Sequence, residues 1–77
     1  MRRKRVDSSA IAAIGYDDRL NVLEVEFTTG RIYDYFMVPP AVHEELIHAE
    51  SVGRYFNLTV KPRYRGVLVS NGPRGRG

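Results

Sequence analysis

The chain contains no cysteine. Without thiols there is no disulfide to staple the fold, no thiolate nucleophile and no cysteine-ligated zinc. No apolar run approaches the ~18 residues that span a bilayer as a helix, so no membrane contact is expected. The basic opening Met1-Arg2-Arg3-Lys4-Arg5 resembles the head of a signal peptide, but Asp7, Ser8 and Ser9 follow at once. The apolar run after them, Ala10–Ile14, is shorter than the ~7–15 residues of a secretory core, and a cytoplasmic location is expected. Length is also scarce. With 77 residues the chain makes one small domain that buries about 60% of its unfolded surface, which excludes a two-domain enzyme with a large cleft. What is present is a hydrophobic fraction of 43%, enough for a packed core and too high for a wholly disordered chain.

Charge is segregated along the chain. Arg2, Arg3, Lys4 and Arg5 open it, and Lys61, Arg63, Arg65, Arg74 and Arg76 close it, with no acid in either end segment. Between Val6 and Val60 all nine acids face only Arg19, Arg31 and Arg54, so the net +3 conceals an acidic middle. The expected organisation is a basic N-terminal arm over 1–5, a domain over 6–64 and a flexible basic tail over 65–77. Basic ends on an acidic body point to contact with a polyanion. The ending Asn71-Gly72-Pro73-Arg74-Gly75-Arg76-Gly77 has the Gly and Pro content that blocks regular structure.

The middle reads as an α+β domain. Ala10–Tyr16 has the β-branched content of a first strand, and Asp17-Asp18 signals a turn. Leu23, Val25 and Phe27 alternate with Glu24 and Glu26, the period of a half-buried strand. Thr28-Thr29-Gly30 closes a hairpin into a third, aromatic strand over Arg31–Met37. Pro39 ends it and Pro40 suits the first turn of a helix, whose Val42, Leu46 and Ala49 share one face. Ser51 is placed to cap a second short helix carrying Val52, Tyr55 and Phe56, and Pro62 stops helix there. The expectation is a three-stranded antiparallel meander with two short helices on one face, and room for a C-terminal strand at Val67-Leu68-Val69.

Residues capable of chemistry form no catalytic pattern. His43 and His48 are five apart, about 140° around a helix, which fails the i, i+4 spacing of a helical zinc pair; they read as two exposed helix histidines. Gly15, Gly30 and Gly53 are isolated, so no phosphate-cradling loop is present, and no serine sits in a strand–turn–helix elbow. A non-enzyme without a cofactor is expected. Tyr33 and Tyr35 share one face of the third strand, with Asp34 on the other. Strand-borne aromatics either stack on unpaired bases or pack beneath the helices. Asp34 favours the packed arrangement, because its carboxylate belongs in water.

An ordered set of residues carries a resemblance. Val6-Asp7-Ser8-Ser9 leading to Ile11, Ile14-Gly15-Tyr16-Asp17, Leu23-Glu24-Val25-Glu26-Phe27, Gly30 with Tyr33-Asp34-Tyr35, Val38-Pro39, Ala49-Glu50-Ser51, and Gly53 with Tyr55-Phe56-Asn57 together resemble the KTSC domain. That family is named for the C-terminus of some lysyl-tRNA synthetases and also occurs as small free-standing bacterial proteins. The resemblance covers about Val6 to Tyr64, and its central motif corresponds to Tyr33 and Tyr35. What it implies is an association with RNA, drawn from the attachment to a tRNA-handling enzyme.

The expected function is therefore a non-catalytic RNA-binding module for tRNA or other structured RNA. Its candidate contacts are Arg2, Arg3, Lys4, Arg5, Arg31, Lys61, Arg63, Arg65, Arg74 and Arg76 for phosphates, with Tyr33 and Tyr35 for bases. The alternative is a protein-interaction module that uses an exposed strand edge, including pairing with a second copy, or the acidic helical face.

Overall fold

Leu23, Val25 and Phe27 do share a face, and the strands around them build one sheet with the order β1-β2-β3-β4-β5. The computed structural model describes residues 3–6 and 8–71. Its strands are β1 (Arg3–Arg5), β2 (Ile11–Asp17), β3 (Val22–Phe27), β4 (Arg31–Tyr35) and β5 (Gly66–Asn71), all pairing antiparallel. Helix α1 (Pro40–Ile47), helix α2 (Val52–Tyr55) and a π-type turn (Phe56–Val60) lie between β4 and β5. The α+β class holds, with five strands where three were expected.

The two additional strands come from segments that the charge pattern assigned to arms. Arg3, Lys4 and Arg5 pair with Gly15, Ile14 and Ala13 through backbone hydrogen bonds, which ask nothing of side-chain polarity at a sheet edge. Val67-Leu68-Val69, the optional last strand, extends over Gly66–Asn71 and pairs with β4 across a bulge. Part of the tail's expected span is thus ordered strand; Arg2, Arg74 and Arg76 lie outside the described residues.

Local sequence explains the remaining boundaries. A bulge between Ile11 and Ala13 lets Ile11 and Ile14, an odd spacing apart, both turn inward, where each is buried. Gly30 turns the β3–β4 hairpin at φ 97°, a region open to glycine at no steric cost. β4 stops at Tyr35, two residues short of expectation, because Met37 takes φ 60° and leaves the strand direction. Pro39 precedes α1 in extended conformation and Pro40 occupies its first turn. The Ser51 side chain accepts the Arg54 N–H at 3.2 Å, the cap expected for α2. Lys61 N–H reaches back to Phe56 O at 2.9 Å, closing the π-type turn just before Pro62.

The core lies between the sheet and this helical layer. Ile11, Ile14, Leu23, Val25 and Tyr35 meet Val38, Leu46, Val52, Phe56 and Val60, all buried. Each fully buried aliphatic or aromatic side chain contributes about 1.5–3 kcal/mol of transfer free energy. Phe56 joins the layers edge-on, 5.3 Å from the Tyr35 ring and 5.5 Å from Phe27.

Candidate nucleic-acid interface

The strand-borne tyrosines face the helical layer. Tyr35 is 7% exposed and wedged against Phe56, and Tyr33 is half-buried with its ring edge-on to Phe27 at 5.8 Å. Tyr35 therefore has no free ring face for a base, and the packed arrangement is the one observed.

The opposite face of the sheet is acidic. Register sets Arg3, Gly15, Glu24 and Asp34 in one row across four strands. Gly15 has no side chain, and Arg3 reaches over it to bond Glu24, with its Nε 3.3 Å from Glu26 Oε1. Asp34 is only partly in water, against expectation, and its Oδ1 is shielded without a hydrogen-bond partner. Burial first, then the neighbouring Glu24 carboxylate, push its carboxyl up to about 6, with Arg3 opposing. Carboxylates on this surface repel a phosphate backbone.

The candidate cations separate into distinct places. Arg3 is engaged with the two glutamates. Arg31 is exposed at the start of β4. Lys61, Arg63 and Arg65 are exposed on the turn that leads into β5, where Arg65 O accepts the Phe36 N–H at 3.2 Å. Lys4 and Arg5 are exposed on β1, at the other edge. Four strand spacings, about 19 Å, separate the two edges, so the basic ends do not converge on one phosphate group.

One of these edges borders a cleft. Strand β1, strand β2 and helix α1 border an open cleft of about 930 Å³ whose lining includes Lys4, Arg5 and Arg19, the carboxylates Asp17, Asp18 and Glu44, and the rings of Tyr16, His43 and His48. Residues 40, 43, 44, 47 and 48 form the helical stripe that faces it, while Leu46 faces the core. His43 is not an exposed helix histidine: it is half-buried, its ring stacked on Tyr16 at 4.6 Å and 8°. Burial lowers its pKa, assisted by His48 and opposed by Glu44, so the imidazole is neutral at pH 7. Tyr16 is itself fixed by its hydroxyl, which donates to Val38 O at 2.6 Å; burial first, then Asp18 and Asp17, raise its pKa.

Charges around the cleft are unevenly paired. Lys4, Arg5 and Arg19 make no ion pair among the described residues. Asp17 Oδ1 is occupied by the N–H groups of Arg19 and Leu20, and Glu44 lies 3.5 Å from His48 Nδ1. The sequence reading included Lys4 and Arg5 but missed Arg19, Tyr16 and His43. Only the docking of α1 against β2 brings these together, and no linear spacing signals it.

The chain matches the KTSC domain model over residues 7–64. It is 52% identical over 64 residues to a protein of Tsukamurella paurometabola, covering 83% of this chain and 96% of that one. An uncharacterized protein of Stutzerimonas stutzeri is 44% identical, with 83% and 90% covered. A lysine–tRNA ligase of Nostoc punctiforme is 37% identical over 59 residues, 77% of this chain but 10% of the ligase. The crystal structure of a KTSC domain protein from Yersinia pestis superposes with a TM-score of 0.87 at 33% identity, covering 90% of this chain and 97% of that one. With the family's residues in register on the sheet and the fold shared along nearly its whole length, this chain belongs to the KTSC domain family.

Proposed function

We propose that this KTSC domain is a non-catalytic, cytoplasmic RNA-binding module that engages RNA from its β1 edge. The observation that carries the reading is that Lys4, Arg5 and Arg19, which make no ion pair among the described residues, border one cleft together with the Tyr16–His43 stack. Lysine and arginine side chains outside ion pairs draw phosphate, against the opposing field of Asp17, Asp18 and Glu44 on the same lining, and aromatic rings offer a surface to a base. The presence of related sequence within lysine–tRNA ligases supports RNA as the polyanion. The acidic sheet face and the buried Tyr35 turn the contact away from the strand tyrosines.

Fluorescence anisotropy of labelled single-stranded RNA with the full chain, repeated across salt concentrations, tests this. Engagement of the three cleft cations gives a slope of log K against log salt near −2, about −0.7 per contact. A slope near −6 instead assigns binding to the nine basic residues of the two end segments acting together, at about −0.7 per contact. No binding at low salt removes the RNA reading.

A second reading has its own observation. β5 is an edge strand whose Val67, Leu68 and Val69 are 45%, 43% and 56% exposed, and such an edge accepts another strand. If this edge is the working surface, partners captured from lysate persist after nuclease treatment and are lost on Leu68→Lys.

A further inference from the structure

We infer that the cleft between β1 and α1 takes a single unpaired nucleotide of an RNA strand, its base against the Tyr16–His43 stack and its phosphate at Lys4 and Arg19. This inference rests on the RNA-binding reading and deepens it by naming the element of RNA that is recognised.

The dimensions suit one nucleotide. A cavity of about 930 Å³ is within the ~300–1,000 Å³ range of small-molecule sites. It opens between a three-residue strand and an eight-residue helix. Bases inside a duplex present no free ring face, whereas those of loops and single strands do.

The chemistry is divided within the cleft in the way a nucleotide is divided. Ile14 on β2 and Ile47 on α1 supply apolar lining beside the ring pair. The ring pair is rigid, because the Tyr16 hydroxyl is held by Val38 O and His43 sits on a helix. The two rings stack face to face, 8° from parallel, so a base meets an outer face of the pair, and the neutral imidazole places no charge beneath it. Lys4 comes from one wall and Arg19 from the β2–β3 turn, so the cations stand around the aromatic centre. Asp18, exposed on the same turn, is a carboxylate at the rim without an ion pair among the described residues. It is an acceptor for the amino and hydroxyl groups of the base and sugar.

The strand-edge and tail cations do not provide this combination. Lys61, Arg63 and Arg65 are exposed at the far edge of the sheet, where they attract phosphate without a matching ring stack. Selectivity for an unpaired nucleotide therefore resides in the cleft, while those residues add affinity that does not depend on base exposure.

The test is a titration of the isotope-labelled full chain with a single-stranded RNA hexamer, a duplex RNA of equal charge and a nucleoside monophosphate. Amide shifts are followed at each step, for the wild type, His43→Ala, His43→Phe and Lys4→Ala. The expected result is saturable shifts at Lys4, Tyr16 and His43 with the hexamer, and weaker binding of the duplex. His43→Ala weakens the hexamer about 5- to 150-fold, the equivalent of one lost base stack. His43→Phe retains a flat ring and most of the affinity, and Lys4→Ala lowers the salt slope by about 0.7. Dispersed spectra show which variants are folded; if His43→Ala is not, the other two variants carry the comparison. Equal binding of the hexamer by the wild type and a folded His43→Ala overturns the cleft assignment and leaves the RNA reading standing. Equal binding of duplex and hexamer overturns the choice of an unpaired nucleotide. A monophosphate that binds as tightly as the hexamer makes the ligand a free nucleotide and overturns the claim of an RNA strand. A wild type that binds neither RNA overturns the RNA reading itself, and this inference with it.

Discussion

The hydroxyl of Tyr16 donates to the carbonyl of Val38 at 2.6 Å, joining the end of β2 to the segment that leads into α1. Val38 N–H in turn donates to Asn21 O at 2.9 Å, so the β2–β3 turn and the start of the helix are held as one unit. This places the Tyr16 ring beneath His43 and sets the width of the cleft. Tyr16→Phe keeps the ring and removes the donor, leaving a carbonyl of a fully buried residue without its partner. The expected loss is about 1–2 kcal/mol, read from urea unfolding, with the stacked ring environment of His43 largely retained in its imidazole shifts.

Gly66 lies opposite Tyr35 in the β4–β5 register. A methyl group there falls 2.8 Å from Tyr35 Cζ and closer still to Cε2. The ring has little room to yield because Phe56 packs on it edge-on at 5.3 Å. Gly66→Ala is expected to cost about 1–3 kcal/mol by overpacking. The matching observation is a lowered urea midpoint together with an altered near-ultraviolet tyrosine signal. An unchanged midpoint contradicts the close approach of β5 to the tyrosine.

Asp34 supplies a pH dependence with a definite sign. Its carboxyl titrates at about 6 in the folded chain against 3.8 ordinarily, chiefly through burial and then through Glu24, with Arg3 opposing. The native state thus binds this proton more tightly than the unfolded chain does. Stability from this group is present in full below pH 4 and falls as pH rises to about 6, where the unfolded chain has already ionised. Asp34→Asn removes that fall. Because the site is partly screened by solvent, the expected gain at pH 7 is modest, about 2–6 °C in Tm if one amide–carboxylate hydrogen bond to Glu24 replaces the repulsion. The difference in Tm between variant and wild type should shrink between pH 7 and pH 4.

Much of the fold was legible in the chain because its signals are local. Alternation marked β3, Gly30 marked its hairpin, and Pro40 and Ser51 marked the helix starts, each acting within a few residues of itself. β1 was not legible, since three consecutive cations carry no alternation and the strand is specified by β2 alongside it. The end of β4 was also hidden, because the left-handed Met37 follows from the tie between Val38 and Asn21 rather than from methionine's own preference.

For the candidate site the division is sharper. The sequence determined the family, the segregation of charge, and the inward aim of Tyr33 and Tyr35, which follows from Asp34 holding the other side of the strand. Tertiary structure alone decided that Arg3 is neutralised by Glu24 and Glu26, that the basic segments sit on opposite edges, and that His43 stacks on Tyr16 at a cleft bordered by Lys4. Periodicity states which face of an element a residue occupies. It does not state which element arrives opposite, and a binding cleft is made of that encounter.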